Sequence, residues 1–224
     1  MLVFGHSGFP IVLFPPAKGR YYEYKDWGLI HSVEYLLDAG IFKIYCPDSV
    51  DYDSWYNYSI HPSDRVKTHN GYENVLLYDV IAFAQHETGI TRIGLAGCDL
   101  GAYHALNTAF RHPDLVSKII SMSGIFDIKP YIFGYYDDNC YFNNPPDYLP
   151  GLNDPWYLDK IKEMDIILGT GEWDECLNEN LRFANILKEK QIPYHLDIRN
   201  QSPHTWDSWR QMFPNYLEMI KNNL

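Results

Sequence analysis

Gly97, Asp99 and Gly101 stand within RIGLAGCDLGAYHAL, residues 92–106. A β-rich run precedes them and a helical pattern follows. The spacing is that of a nucleophile elbow, G-x-S-x-G, with aspartate in the serine place. Small flanks let the backbone bend sharply and lift the central side chain clear of a sheet. The helix that follows would aim its first amides and the positive end of its dipole at the reacting atom. The N–H of Leu100 is the natural first donor to an oxyanion. Centring the motif on Cys98 would put Ala96 and Leu100 at the flanks, so Cys98 is read as packing beneath the turn.

Such a turn needs an acid and then a histidine later in the chain. Glu172 and Asp174 follow the run MDIILGTG, and His204 follows PYHLDI, in RNQSPHTW. Of nine histidines, only His204 falls in the loop after the last strand. Asp174 is the preferred acid because it reaches further over the sheet edge, with Glu172 as the alternative. A second oxyanion donor should come from FPPAKGRYYEY, where Pro15 and Pro16 have no N–H. Ala17 or Lys18 is left to supply it.

A serine at 99 would lose its proton to the imidazole and attack an acyl carbon. A carboxylate is already ionised but far weaker, and its attack on an ester would give an anhydride. Helix amides and a protonated His204 are expected to hold Asp99 as the anion. Three readings follow. Asp99 replaces the serine nucleophile of a hydrolase and depresses or alters its activity. It attacks the sp³ carbon of an alkyl halide or epoxide, with His204 activating water. Or the pocket binds a ligand without catalysis.

The elements that must position these groups alternate. Strand patterns cover residues 10–15, 42–48, 92–97, 118–124, 164–171 and 193–198. Helical patterns cover 27–40, 72–89, 100–113, 176–191 and about 206–224. This alternation predicts an α/β fold: a three-layer αβα sandwich around a mostly parallel sheet. Chemistry then collects at the carboxyl ends of the strands. One domain, 1–224, is expected, with an aromatic-rich insertion at about 126–163 lying over the site.

Composition excludes several function classes. The chain carries 29 acidic and 18 basic residues for a net charge of −11, so nucleic acid is not an expected partner. The N-terminal apolar run is broken by Pro10, Pro15 and Pro16. Neither a signal peptide nor a membrane span is read there, and the expected location is cytoplasmic. Cys46, Cys98, Cys140 and Cys176 form no C-x-x-C pair and are expected to be buried thiols. No metal-ligand spacing and no dinucleotide fingerprint emerges, so no metal or cofactor is expected. A small ester or related molecule is the expected partner, and the aromatics of 131–157 would permit a homodimer.

The chain resembles the putative-esterase branch of the α/β-hydrolases, near the esterase D-like enzymes. The resemblance rests on FPPAKGRYYEY, DSWYN, GLAGCDLGAYHALNTAFRHPDL, SMSGIFD, YYDDNCYFNNPPDYLPGLNDPWYL, ILGTGEWDECL and PHTWDSWRQM. It implies a compact α/β-hydrolase fold and cofactor-free hydrolysis of small acyl esters by a Ser–His–Asp triad. In that pattern the serine falls on Asp99, the acid on Asp174 or Glu172, and the base on His204. Dehalogenases that use an aspartate nucleophile place a halide-binding tryptophan after it, whereas this chain has Leu100.

Overall fold

The computed structural model describes residues 1–224. Seven strands form one sheet: β1 (Leu2–Phe4), β2 (Phe9–Phe14), β3 (Phe42–Cys46), β4 (Ile93–Cys98), β5 (Val116–Met122), β6 (Asp165–Trp173) and β7 (His195–Pro203). Their order is β1-β3-β2-β4-β5-β6-β7, and only β1 runs antiparallel to its neighbour. The central strands read as unbroken apolar runs because both faces are covered. All six residues of β4 are buried.

Helices cover both faces, giving the three-layer α/β-hydrolase architecture. On one face lie α4 (Pro62–Val75), a π-helical segment (Leu76–Ile81), α5 (Ala82–Thr88), α6 (Leu100–Arg111) and α11 (Leu177–Glu189). Leu76, Ile81, Leu106, Phe110 and Phe183 from these helices pack on Val12, Leu95 and Ile119. The other face carries α1 (Glu23–Asp26), α2 (Leu29–Ser32), α3 (Glu34–Asp38) and α12 (Trp206–Lys221), with Leu36, Phe213 and Leu217 on Ile11, Ala96 and Ile120.

Two helical expectations change. The stretch 27–40 is two short helices, α2 and α3, not one, because Gly28 is left-handed (φ 77°) and Val33 leaves the helical region (φ −120°, ψ 9°). Its apolar spacing persists because Leu29, Ile30, Leu36 and Leu37 still face the core. The helix read as starting at 72 begins at Pro62, where the His61 side chain accepts the Ser63 N–H. Residues 62–71 are mostly polar and lack the apolar period that marks a helix in sequence.

After β2 the chain turns to β3 on one side, and after β4 to β5 on the other. The carboxyl ends of β2 and β4 therefore flank a topological switch point, where open α/β sheets form their crevices. Ala17 follows β2 and Asp99 follows β4.

The 126–163 segment holds four short helices: α7 (Lys129–Ile132), α8 (Asp138–Phe142), α9 (Pro145–Gly151) and α10 (Pro155–Lys162). Ile128, Tyr131, Ile132 and Cys140 pack with Leu100, Tyr103 and Trp55, and Ala17 touches the same cluster. The second half leaves a cavity of about 630 Å³ between Phe110, Arg111, Tyr141, Tyr148 and Tyr157; Asp99, Asp174 and His204 do not line it. No helix is long and apolar enough to cross a membrane.

Candidate active site

Asp99 sits on the bend between β4 and α6 with φ 56° and ψ −125°, a region that non-glycine residues rarely enter. The turn closes only because its flanks lack side chains. A Cβ on Gly97 would lie 2.2 Å from the carbonyl carbon of Gly101, and one on Gly101 would lie 2.3 Å from the Phe14 oxygen. The strain is anchored by backbone hydrogen bonds: the Asp99 N–H donates to Met122 O (2.9 Å), and its carbonyl accepts from Ala102 N–H (3.1 Å). Cys98 is fully buried below the turn, and burial raises its thiol pKa well above the ordinary value.

The Ala17 N–H donates to Asp99 Oδ2 at 3.0 Å. The Lys18 N–H, the other candidate, points elsewhere and donates to Asp51 Oδ2 at 3.0 Å. His204 follows β7, and its Nε2 lies 3.9 Å from Asp99 Oδ1, too far for a hydrogen bond. Its Nδ1 is 2.9 Å from Asp174 Oδ1. With the carboxylate accepting, Nδ1 carries the proton and the neutral ring turns a lone pair on Nε2 toward Asp99. The Trp209 ring stands edge-on to the imidazole, and its Nε1–H donates to Ser123 Oγ at 2.9 Å.

Asp174 and Glu172 part ways at the end of β6. Asp174 leaves the strand, donates its N–H to Gly171 O (3.2 Å) and turns its carboxylate inward. The exposed Glu172 accepts from the Gln201 N–H at 3.1 Å.

Electrostatics sort the three groups. Burial raises the Asp99 pKa and outweighs the Ala17 and Leu100 amides and the His204 charge, which favour the anion. The expectation that those partners dominate is thus corrected: desolvation is the larger effect. At Asp174 burial acts upward, but the His204 hydrogen bond and the Cys176 amide prevail and hold the carboxyl below its usual range. At His204 burial acts downward, yet the Asp174 hydrogen bond and the charges of Asp174 and Asp99 raise the imidazole pKa.

In sequence Cys176 is only a buried thiol. All four cysteines are free and buried, but one ligand atom of Cys176, one of Asp99 and one of His204 lie within 4.8 Å of one another. Asp51 and His104 carried no signal at all. They form a buried pair under the Ala17–Lys18 loop, with His104 Nε2 2.9 Å from Asp51 Oδ1.

A family model described as "Putative esterase" matches residues 46–220. The chain belongs to this esterase family. Among solved structures it is similar to a ferulic acid esterase (14% identity, TM-score 0.77, covering 98% of this chain and 86% of that one). An S-formylglutathione hydrolase from Agrobacterium tumefaciens is 12% identical with TM-score 0.74, covering 99% and 88%. MPT51 (FbpC1) of Mycobacterium tuberculosis is 15% identical with TM-score 0.70, covering 98% and 92%. At these identities the likeness is one of fold. No curated protein matches the sequence.

Proposed function

We propose that this member of the esterase family carries a site built for small acyl esters, in which Asp99 occupies the nucleophile position and suppresses ordinary ester turnover. His204 takes the place of the base and Asp174 that of the acid orienting it. Ala17 and Leu100 supply the oxyanion hole. One observation carries the reading: Asp99 Oδ2 sits on the Ala17 N–H, where a substrate's developing oxyanion would sit. The carboxylate thus replaces the attacking alkoxide and also fills the hole.

Asp99→Ser removes both obstacles. The expected outcome is hydrolysis of a short-chain p-nitrophenyl ester at least about a thousandfold faster than by the unchanged chain, the scale set by nucleophile deletions. An equally inactive, folded variant would overturn the reading.

A second reading is favoured by the free oxygen of Asp99. Oδ1 has no hydrogen-bond partner and faces His204 across 3.9 Å. That gap suits a carboxylate attacking an sp³ carbon, followed by water activated at His204. Its mark is a covalent ester on Asp99 after exposure to an alkyl halide or epoxide, found by peptide mass spectrometry. A non-catalytic ligand-binding role predicts instead that small esters and carboxylates raise the melting temperature, with no turnover even by Asp99→Ser.

A further inference from the structure

A tetrahedral zinc-class ion holds ligands at about 2.0–2.3 Å, which puts ligand atoms about 3.3–3.8 Å apart. The pair Asp99 Oδ1 and His204 Nε2 is 3.9 Å apart, too long for a hydrogen bond and a few tenths of an ångström wider than an oxygen–nitrogen pair on one ion, so a small side-chain movement would close it. Cys176 Sγ brings a third donor to the same point, all three lying within 4.8 Å. The donors arrive from three elements at the carboxyl edge of the sheet: the turn after β4, the start of α11 and the loop after β7.

The surroundings match a metal centre in a further respect. Asp174 Oδ1 accepts from His204 Nδ1–H (2.9 Å) and from the Cys176 N–H (2.8 Å). One carboxylate therefore orients two donors and leaves Nε2 as the free nitrogen, which is the carboxylate–histidine–metal arrangement. Asp99 is likewise fixed, with Oδ2 on the Ala17 N–H and Oδ1 free.

We propose that Asp99, Cys176 and His204 form a binding site for one divalent cation of the zinc class. A carboxylate, a thiolate and an imidazole form a mixed O, S, N set suited to Zn²⁺ and poorly suited to Mg²⁺ or Ca²⁺, which prefer all-oxygen ligands. Carboxylate and thiolate together balance the ion's two charges. The net charge of −11 draws cations toward the molecule. Three protein donors leave a fourth position for water, the ligand count of catalytic zinc sites. Aspartate at 99 makes the set, because a serine hydroxyl is a weak neutral donor. The proposal stands apart from the ester reading: Asp99→Ser can fail to hydrolyse esters while the unchanged chain still binds metal.

The test is a Co²⁺ titration of the chelator-stripped full chain, followed by displacement with Zn²⁺. One equivalent of Co²⁺ should produce a thiolate-to-cobalt charge-transfer band in the near ultraviolet, and Zn²⁺ should abolish it. Asp99→Ser and His204→Gln should each weaken binding at least about tenfold. Cys176→Ser should lose the band. His31→Gln, which alters the exposed His31–Glu34 pair, should leave binding unchanged and controls for surface capture. Circular dichroism of each variant without metal verifies folding. The unchanged chain decides by itself if a variant fails to fold: no saturable one-to-one band overturns the site. Binding that survives Asp99→Ser undiminished, or falls equally in His31→Gln, overturns it too.

Discussion

Two histidine–aspartate pairs of the molecule have equal length and opposite settings. His204 and Asp174 meet at 2.9 Å, as do His104 and Asp51. The imidazole of His204 keeps 18% of its side-chain surface exposed and offers Nε2 to Asp99. That of His104 keeps 1%, and its second nitrogen, Nδ1, is buried without a partner. His104 is also closed in by Tyr72, Phe14, Tyr103 and His69. The same hydrogen bond thus serves two purposes. Where the far nitrogen opens on a crevice, the pair is equipped for chemistry. Where it is sealed, the pair is a bolt: Asp51 also accepts the Lys18 N–H and so ties the loop that presents Ala17.

The largest contrast should come from deleting each histidine in the Asp99→Ser background. His204→Ala removes the base, and kcat for the ester should fall by roughly 10⁴–10⁶, the range found when a triad member is lost. Melting temperature should fall less than on loss of His104, since the ring already reaches solvent although Asp174 loses its imidazole partner. His104→Ala should do the reverse in kind: a clear loss of melting temperature and a smaller loss of kcat through the loosened Ala17 loop. Equal kinetic losses from both variants would erase the distinction.

Deleting the carboxylates sharpens the contrast in stability. Asp51→Ala strands a buried imidazole and the Lys18 N–H, so it should cost about 3–5 kcal/mol, the usual result of breaking a buried pair from one side. Asp174→Ala leaves His204 able to turn toward water and should cost clearly less. Urea denaturation of the two variants with a shared slope reads the difference.

Much of this arrangement was legible in the sequence, for identifiable reasons. Strands β2 to β6 announce themselves as short apolar runs because both sheet faces are covered, whereas the edge strand β7 shows only its first few residues. Gly97 and Gly101 mark the bend at Asp99 because any side chain there would strike backbone. His204 and a choice of two acids follow from strand order, and the need for an N–H after Pro16 narrows the loop donor to Ala17 or Lys18. The tie between Glu172 and Asp174 could not be broken by spacing, since residues two apart share one face of a strand. It was broken by the strand's end at Trp173, after which the backbone turns Asp174 inward. Asp51 stayed hidden because it is one of three aspartates in DSVDYDSWYN, and its partner lies 53 residues away. Cys176 stayed hidden because an isolated cysteine beside an apolar helix reads as core. Periodicity reports which face of an element is buried, not which polar group meets which across the fold.

The sealed region should also carry the acid sensitivity of the fold. His69 stacks on His104 and packs tilted against Trp55, and burial together with the His104 charge pushes its pKa down to about 3. In the unfolded chain a histidine titrates near 6.5. Below that pH the unfolded state takes a proton that folded His69 refuses, so stability is lost as pH falls from about 6.5 toward 3. Between pH 6.5 and 4 this one group contributes at most about 3 kcal/mol of that loss. His204 works in the opposite sense. Its pKa is raised in the folded state, so its contribution is full below about 6.5 and fades as pH rises through the folded value. Melting temperature measured from pH 7 to 4 should therefore fall less steeply in His69→Gln than in the unchanged chain. His204→Gln should steepen only the upper end of that limb, near pH 7 to 6, because it removes the one histidine of the two that gains stability on protonation.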